Sequence, residues 1–343
     1  VGDVLAGVVA ESEAIAREAV KIIKVKYEIL QPRSDPEKAL DYSSPKIHPN
    51  GNLLSETKLK RGDVENALKD SAFISKGTFY TQRIEHGYME PECAIAKPTK
   101  NGIEVYSQGQ GIYEDRSQLA KLLNLPEEKV RVILVPNGGG FGGKEDLSVQ
   151  GHAAVFSLIL QKPVKVTLNR DESILMHPKR HPMRMKYTLG CNNEGKLTVL
   201  IADILGDTGA YASVGMKVLE RAAGHSAGPY HIPNVDVISK AVYTNNLPCG
   251  AMRGFGVNQV AFALESCIDD LCEKGGFDRW QFRFDNALTE GDMTSTGQII
   301  NRGSGVRKTL LAVKDIFQNA IKSSEVIQNH RVPQLEKIVK NIF

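Results

Sequence analysis

A glycine-rich segment in the middle of the chain limits what its surroundings can fold into. The segment Gly138–Glu145 reads GGGFGGKE and stands between the apolar run Val130–Val135 and a helix predicted over residues 146–160. Glycine has no Cβ, so a ligand can lie against its backbone, and the N–H groups at a helix N-terminus attract anions. The pattern predicts a ligand-binding loop between a strand and a helix, with a flexible connector as the alternative.

The same segment nearly matches the P-loop of nucleotide triphosphatases. Gly138, Gly143 and Lys144 fit that motif, but Glu145 stands where a P-loop has Ser or Thr. The hydroxyl at this position binds magnesium, and a carboxylate would repel the phosphates. We therefore exclude a P-loop and expect Glu145 to bind a neutral or protonated ligand edge.

Composition excludes several classes of protein. The 343 residues suit one or two domains, and 41% hydrophobic residues suffice for a core. A net charge of +3 without a long basic block predicts no nucleic acid partner, and no apolar run approaches the length of a membrane helix. The five cysteines include no Cys-x-x-Cys pair, and the chain begins without a signal peptide, so we expect free thiols and a cytoplasmic location.

The hydrophobic pattern predicts an α+β fold without internal repeats. Val4–Val9, Glu11–Ile23 and Lys24–Ile29 suggest strand, helix and strand, and the proline-rich stretch Gln31–Leu54 suggests a linker with a domain boundary near residue 50. Asp63 is predicted to cap a short helix. Further strands are predicted at Phe73–Thr81, Cys93–Lys97, Ile103–Ser107, Val164–Leu168, Met183–Leu189 and Leu197–Asp203. Helices are predicted at Phe262–Lys274, Asp278–Leu288, Lys308–Lys322 and Val332–Ile342.

Three further clusters place polar side chains beside glycine. They are Gln108–Gly111, Gly206–Ala212 followed by Glu220–Ala223, and Ala251–Gly256. Arginine pairs well with planar polar ligands, and phenylalanine between glycines can stack on a ring. Taken singly, Arg221 could be a surface ion pair, Phe255 a core aromatic and Gln110 a capping amide.

Taken together, these segments resemble the molybdenum hydroxylases of the xanthine dehydrogenase and aldehyde oxidase type. The likeness extends over residues 1–300, in the family's order. The matching segments are Gly138–Glu145, Arg180–Pro182, Gly206–Tyr211, Glu220–Ala222, Thr244–Pro248 and Met252–Gly256.

The resemblance implies a domain organisation and a cofactor. Residues 1–50 would be the end of an α/β hammerhead-like domain with its linker, residues 51–305 the first half of a molybdopterin-binding domain, and residues 306–343 a divergent helical tail. The cofactor would be molybdenum-molybdopterin, with or without a cytosine dinucleotide, and the [2Fe–2S] clusters and FAD would lie on other subunits or domains. The reaction would be hydroxylation of an electron-poor C–H carbon, with water as the oxygen source.

The resemblance also assigns roles to residues. Gln110 would lie near the molybdenum's oxo ligand, with Gln108 as the rival; the spacing back from Leu125-Pro126 favours Gln110. Phe141 and Arg253 would contact the metal and pterin site through their backbones. Four glycines would let the cofactor approach closely, namely Gly140, Gly142, Gly254 and Gly256.

The substrate implied is a purine or related N-heterocycle. Glu145 and Arg221 resemble the pair that binds a purine and stabilises its developing negative charge, and Phe255 resembles the ring that flanks it. Aldehyde-oxidising relatives tend to lack the pair. His86 lies in a similar segment and is expected to position other groups without a catalytic role.

The chain also departs from the family pattern. The family's general-base glutamate follows a Gly-Val-Gly motif that this sequence lacks, which suggests a fragment, a frameshifted gene or a split enzyme whose second molybdopterin-domain half is another chain. No cysteine near Tyr211 matches the one that carries copper in carbon monoxide dehydrogenases. The alternatives are an aldehyde or nicotinate-type subunit, an inactive structural half, and an unrelated phosphate-binding protein.

Overall fold

Two β-sheets, each packed against helices, form the described part of the molecule. The computed structural model describes residues 2–340, with side chains described as far as residue 323. The helices are α1 Glu13–Val20, α2 Pro36–Ala39, α3 Val64–Lys69, α4 Ile112–Leu123, α5 Val149–Leu160, α6 Arg170–Met176, α7 Gly215–Gly224, α8 Val257–Gly275, α9 Arg279–Asn286 and α10 Val306–Lys340. The strands are β1 Leu53–Arg61, β2 Phe73–Thr81, β3 Cys93–Thr99, β4 Gly102–Ser107, β5 Val130–Leu134, β6 Val164–Thr167, β7 Met183–Cys191, β8 Leu197–Gly209 and β9 Asn234–Tyr243. The predicted α+β class is confirmed.

The larger sheet carries one side of the candidate site. Its strand order is β1-β9-β8-β7-β2, and only β8 and β9 pair in parallel. Alternate residues of β9 are buried, as expected for a strand with one face on a core. Leu219 of α7 and Leu264 of α8 belong to this core. The packing fixes α7, which carries Arg221, and the start of α8, which follows Phe255.

The smaller sheet carries the other side of the candidate site. Its order is β5-β4-β3-β6; β3 and β4 form the predicted hairpin, and β4 pairs in parallel with β5 through the crossover helix α4. Adjacent parallel strands end at the same edge of a sheet, where ligands commonly bind. Residues 108–111 follow β4 and residues 138–145 follow β5, so this edge brings Gln110 beside the glycine-rich segment.

The predicted strands at residues 4–9 and 24–29 are wrong. Neither segment is a strand, and the helix between them spans only Glu13–Val20. A strand needs a second strand to receive its backbone hydrogen bonds, and none of the described residues pairs with these segments. Leu5, Tyr27 and Ile29 are correspondingly 61%, 70% and 91% exposed.

Other elements differ in their bounds. The helix after the glycine-rich segment begins at Val149, three residues later than predicted, and β1, β9 and α7 were not predicted. The tail is one helix, α10, where two were predicted, and residues 341–342 of the second prediction lie outside the described residues. None of the helices in the described chain combines the length and apolar character needed to cross a lipid bilayer.

Candidate functional site

Two loops from different cores meet at the candidate site. We call residues 138–145 the glycine loop and residues 251–256 the arginine loop. The N–H of Arg253 donates to the carbonyl of Phe141 at 3.0 Å. Gly142 has φ +99°, and a Cβ there would lie 2.8 Å from the carbonyl carbon and oxygen of Ala251. Glycine at this position therefore allows the backbones of the two loops to lie in contact.

Gln110 holds the glycine loop in shape. Its Oε1 accepts from the N–H of Gly142 at 2.9 Å and of Lys144 at 3.2 Å, and its own N–H donates to the Lys144 carbonyl at 2.8 Å. A Cβ on Gly140 would lie 2.4 Å from the same Oε1. Gln110 is exposed, whereas the rival Gln108 is buried and accepts from Lys144 Nζ at 2.7 Å. Gln110 is the glutamine that remains accessible to a ligand.

Lys144, the lysine of the segment that nearly matches a P-loop, already has hydrogen-bond acceptors within the protein. Lys144 is buried, and its ammonium donates to Gln108 and, at 2.8 Å, to the carbonyl of Glu90. It also lies 4.7 Å from the centre of the Tyr88 ring. An ammonium held in this way is not free to bind phosphate, which agrees with the exclusion of a P-loop.

The prediction of a row of free backbone N–H groups at a helix N-terminus is wrong. Helix α5 begins three residues beyond the loop, and most N–H groups of the loop have acceptors within the described chain. Gly140 and Phe141 are the two positions whose N–H finds no acceptor among the described residues. Phe141 is half-exposed and Gly140 is buried, so the loop offers the Phe141 N–H as an accessible backbone donor.

Both loops contain a Gly-Phe-Gly sequence with an unusual backbone. Phe141 and Phe255 have φ values of +54° and +50°, and the glycine after each is also left-handed, at +99° and +96°. A non-glycine residue in this region costs about 1 kcal/mol or more, and such strain concentrates at functional sites. The surrounding loop contacts hold both phenylalanines in place.

Arg221 and Phe255 are brought together. The Arg221 guanidinium lies 5.7 Å from the centre of the Phe255 ring, within cation–π range. A Cβ on Gly256 would lie 2.4 Å from the carbonyl oxygen of Val218, so glycine lets the arginine loop pack against α7. Arg221 is exposed and remains available to a ligand.

Arg253 is exposed, and its carbonyl anchors the arginine loop. That carbonyl accepts from Arg180 Nη2 at 2.9 Å and Asn258 Nδ2 at 3.4 Å. Gly254, at φ +96°, would place a Cβ 1.8 Å from Asn258 Oδ1. At each of the four predicted glycines a Cβ would meet protein atoms within 2.8 Å, and close approach of a cofactor remains a prediction.

Glu145 lies at the end of the glycine loop and is exposed. Desolvation raises its pKa, and the neighbouring carboxylates of Asp146 and Glu114 raise it further. The carboxyl is therefore closer to its neutral, hydrogen-donating form than an isolated glutamate. Asp146 Oδ2 accepts from Ser213 Oγ at 2.7 Å, which ties the residue after Glu145 to the loop before α7.

A buried polar cluster lies behind the two loops, and sequence reasoning found only His86 of it. His86 Nε2 lies 2.8 Å from the Ala251 carbonyl, and a Cβ on Gly143 would lie 2.9 Å from the His86 ring. Its other members are Glu85, Tyr88, Glu92, His177 and Lys179. Burial opposes ionisation of Glu92, but hydrogen bonds from His177, Tyr88 and Ser173 lower its pKa to about 2. The cluster joins residues 85–92 to residues 177–179, and contacts between such distant segments leave no local motif.

Comparison with known proteins identifies the family of this arrangement. Residues 47–287 match the family model for the molybdopterin cofactor-binding domain. The chain is 39% identical over 314 residues to a probable xanthine dehydrogenase subunit of Bacillus subtilis, covering 91% of this chain and 42% of that one. It is 39% identical over 310 residues to the nicotinate dehydrogenase large molybdopterin subunit of Eubacterium barkeri, covering 90% of this chain and 73% of that one.

Two solved structures of oxidoreductases match the fold of this chain. The aldehyde oxidoreductase from Desulfovibrio gigas matches with a TM-score of 0.89 and 28% identity over 92% of this chain and 35% of that chain. Quinoline 2-oxidoreductase from Pseudomonas putida 86 matches with a TM-score of 0.86 and 26% identity over 94% of this chain and 42% of that chain. The chain therefore spans less than half of these two structures.

Proposed function

Since the chain belongs to the molybdenum hydroxylase family and carries its molybdopterin cofactor-binding domain over residues 47–287, we propose that it is the molybdopterin-binding portion of a xanthine dehydrogenase-like hydroxylase. The reaction is oxidation of a C–H bond of a purine or related N-heterocycle, with water as the source of oxygen. The observation that carries the proposal is the meeting of the glycine and arginine loops, which presents Gln110, Phe141 and Arg253 together.

The residues of the two loops fit the cofactor. Gln110 and Arg253 are exposed, Phe141 is half-exposed, and the Phe141 N–H has no acceptor among the described residues. Amide and guanidinium donors suit the oxo, phosphate and pterin oxygens of such a cofactor. When bound, the molybdenum cofactor supplies oxygen transfer and two-electron redox chemistry. The protein's contribution is to orient it through these donors.

Arg221, Phe255 and Glu145 are proposed to bind the substrate. Arg221 carries a fixed positive charge that stabilises negative charge developing on a heterocycle's oxygen or nitrogen. Glu145, whose pKa is raised, can donate a hydrogen bond to a ring nitrogen or accept one from a ring N–H. Phe255 offers an apolar surface beside them.

A nicotinate-type activity is the second candidate. The similarity to the nicotinate dehydrogenase large molybdopterin subunit, at 39% identity over 73% of that protein, favours it. Nicotinate is also an N-heterocycle, and its carboxylate would pair with Arg221 in a bidentate geometry. The two candidates therefore share a site and differ in the group that Arg221 binds.

The complete enzyme is proposed to need other components. A second molybdopterin-domain half supplies the general-base glutamate, and iron–sulfur and flavin subunits carry electrons away. The cofactor has the molybdopterin or cytosine dinucleotide form, and the complex is cytoplasmic. Without these components the chain alone is expected to be inactive.

Metal and pterin analysis tests the proposal. The chain is purified alone and with the subunits that accompany it, molybdenum and oxidised pterin are quantified, and the complex is assayed with xanthine, nicotinate and an aromatic aldehyde. Pterin in the complex and turnover of a heterocycle support the proposal, and absence of pterin from both samples refutes it. Glu145→Ala is expected to lower turnover with molybdenum content intact; loss of the metal would refute the substrate-binding role.

A further inference from the structure

We propose that His86 is a positioning residue that fixes the separation between the glycine loop and the arginine loop, and thereby retains the cofactor. The inference rests on the proposed function, because it assumes that these two loops hold molybdopterin. It assigns to His86 no contact with substrate or metal. The side chain is 8% exposed and lies behind both loops.

His86 touches each loop in a different way. Its Nε2 lies 2.8 Å from the carbonyl of Ala251, and since a carbonyl can only accept, Nε2 carries the hydrogen. The ring lies beside Gly143, where a Cβ would lie 2.9 Å from His86 Cγ and Nδ1 and also 2.9 Å from Tyr88 Cε1. One side chain therefore bonds the first residue of the arginine loop and packs against the glycine loop.

The position of His86 is itself fixed from behind. The preceding Glu85 accepts from the N–H of Gly87 at 3.2 Å and from His177 Nε2 at 2.8 Å, and its Oε2 lies 3.0 Å from Lys179 Nζ. The Arg180 N–H donates to the Ile84 carbonyl at 3.0 Å. The segment that carries His86 is thus bound to the segment before β7.

We call His86, with its contacts to Ala251 and Gly143, the clamp. The contacts of the cluster around it disfavour a metal centre. Ligand atoms of Glu85, His86 and His177 lie within 4.8 Å of one another. However, the Lys179 ammonium already lies against Glu85, and the His177 nitrogens lie 2.8 Å from Glu85 Oε1 and 3.1 Å from Glu92 Oε1. The Lys179 ammonium therefore already pairs with Glu85, the one carboxylate of this group.

Release of pterin from the complex tests the clamp. His86→Leu removes the donor, His86→Gln keeps an amide donor of similar size, and His48→Leu is the control, because His48 Nε2 bonds the Ala210 carbonyl outside both loops at 2.7 Å. Loss of a buried hydrogen bond should make His86→Leu release pterin about tenfold faster than wild type. His86→Gln and His48→Leu should release it near the wild-type rate.

Two outcomes overturn the proposal. One is wild-type release from His86→Leu, and the other is release from His86→Gln as fast as from His86→Leu. If His86→Leu does not fold, Gly143→Ala presses a methyl group against His86, and also against Tyr88, at 2.9 Å. Release at the wild-type rate from this variant would contradict the proposal.

A second readout separates this inference from the proposed function. Absence of pterin from wild type would refute the function alone. Hydrogen exchange in the cofactor-free complex would then decide on the clamp, since the Gly142 and Lys144 amides should exchange faster in His86→Leu than in His48→Leu. Equal exchange in the two variants would overturn it.

Discussion

Replacing Gly140 by alanine should displace Gln110 without preventing folding. The three heavy atoms nearest to a Cβ at this position all belong to the Gln110 side chain, at 2.4, 2.8 and 3.2 Å. Gly140 is not in the left-handed region, so alanine adds no backbone strain. The exposed Gln110 side chain can swing into solvent and give up its bonds to the glycine loop.

The size of the effect follows from those bonds. Oε1 of Gln110 accepts two hydrogen bonds, at 2.9 and 3.2 Å. Each contributes about 1 kcal/mol net, and water can replace part of that at an exposed side chain, so Gly140→Ala should cost about 1–2 kcal/mol of unfolding free energy. Gln110→Ala should cost a similar amount for the same reason.

A double-mutant cycle measures the coupling. Urea unfolding of wild type, Gly140→Ala, Gln110→Ala and the double variant should show that Gly140→Ala costs almost nothing once the glutamine is absent. Additive costs, within about 0.5 kcal/mol, would refute the reasoning. Gly224→Ala is the control, since its Cβ would meet only Thr296 Cγ2 at 3.5 Å. Gly140→Val should in addition prevent incorporation of the cofactor, measured as pterin per chain.

Three further predictions concern burial, charge and backbone. Burial raises the pKa of the Asp115 carboxyl to about 6, whereas the unfolded chain has a pKa of about 3.9. As the pH rises from about 4 to 6, the unfolded state releases a proton that the folded state keeps, so the free energy of unfolding should fall. Asp115→Asn should then stabilise the protein by about 3 kcal/mol near neutral pH but not near pH 4 in thermal melts, and a gain independent of pH would contradict this. Arg221→Met should lower kcat/KM for a purine by about tenfold to a hundredfold with pterin content unchanged, and an equal loss for an aldehyde would count against the substrate assignment. Gly256→Ala places a Cβ 2.4 Å from the Val218 carbonyl oxygen at φ +96° and should cost about 2–3 kcal/mol, so a wild-type urea midpoint would show that the contact is relaxed easily.

Local patterns in the sequence predicted most of the strands and helices around the site. The hairpin of β3 and β4 and the strand β5 were predicted because alternation and turn residues act over short distances. The alternating burial of β9 left a similar signal, at Val235, Val237 and Ala241, but Ser239 places a polar residue at a buried position and Ile238 places an apolar residue at a half-buried one. The strands expected at residues 4–9 and 24–29 had the pattern but, within the described chain, no strand to pair with.

The site's internal contacts could not be predicted in the same way. Gln110 lies beside the glycine loop only because β4 and β5 pair in parallel, with Ser107 opposite Leu134. The bond between Glu85 and His177 joins residues 92 positions apart. Such contacts depend on topology, and a single sequence shows the residues without showing which of them meet.

The division of the site between two cores has a consequence for how the protein unfolds. The glycine loop follows a strand of the smaller sheet, whereas the arginine loop leads into a helix of the larger core. A molecule that binds both loops must lose its site when either core opens, so its binding free energy is added to the stability of each. The loaded protein should therefore lose both sheets in one cooperative transition, and the unloaded protein can lose the weaker sheet first.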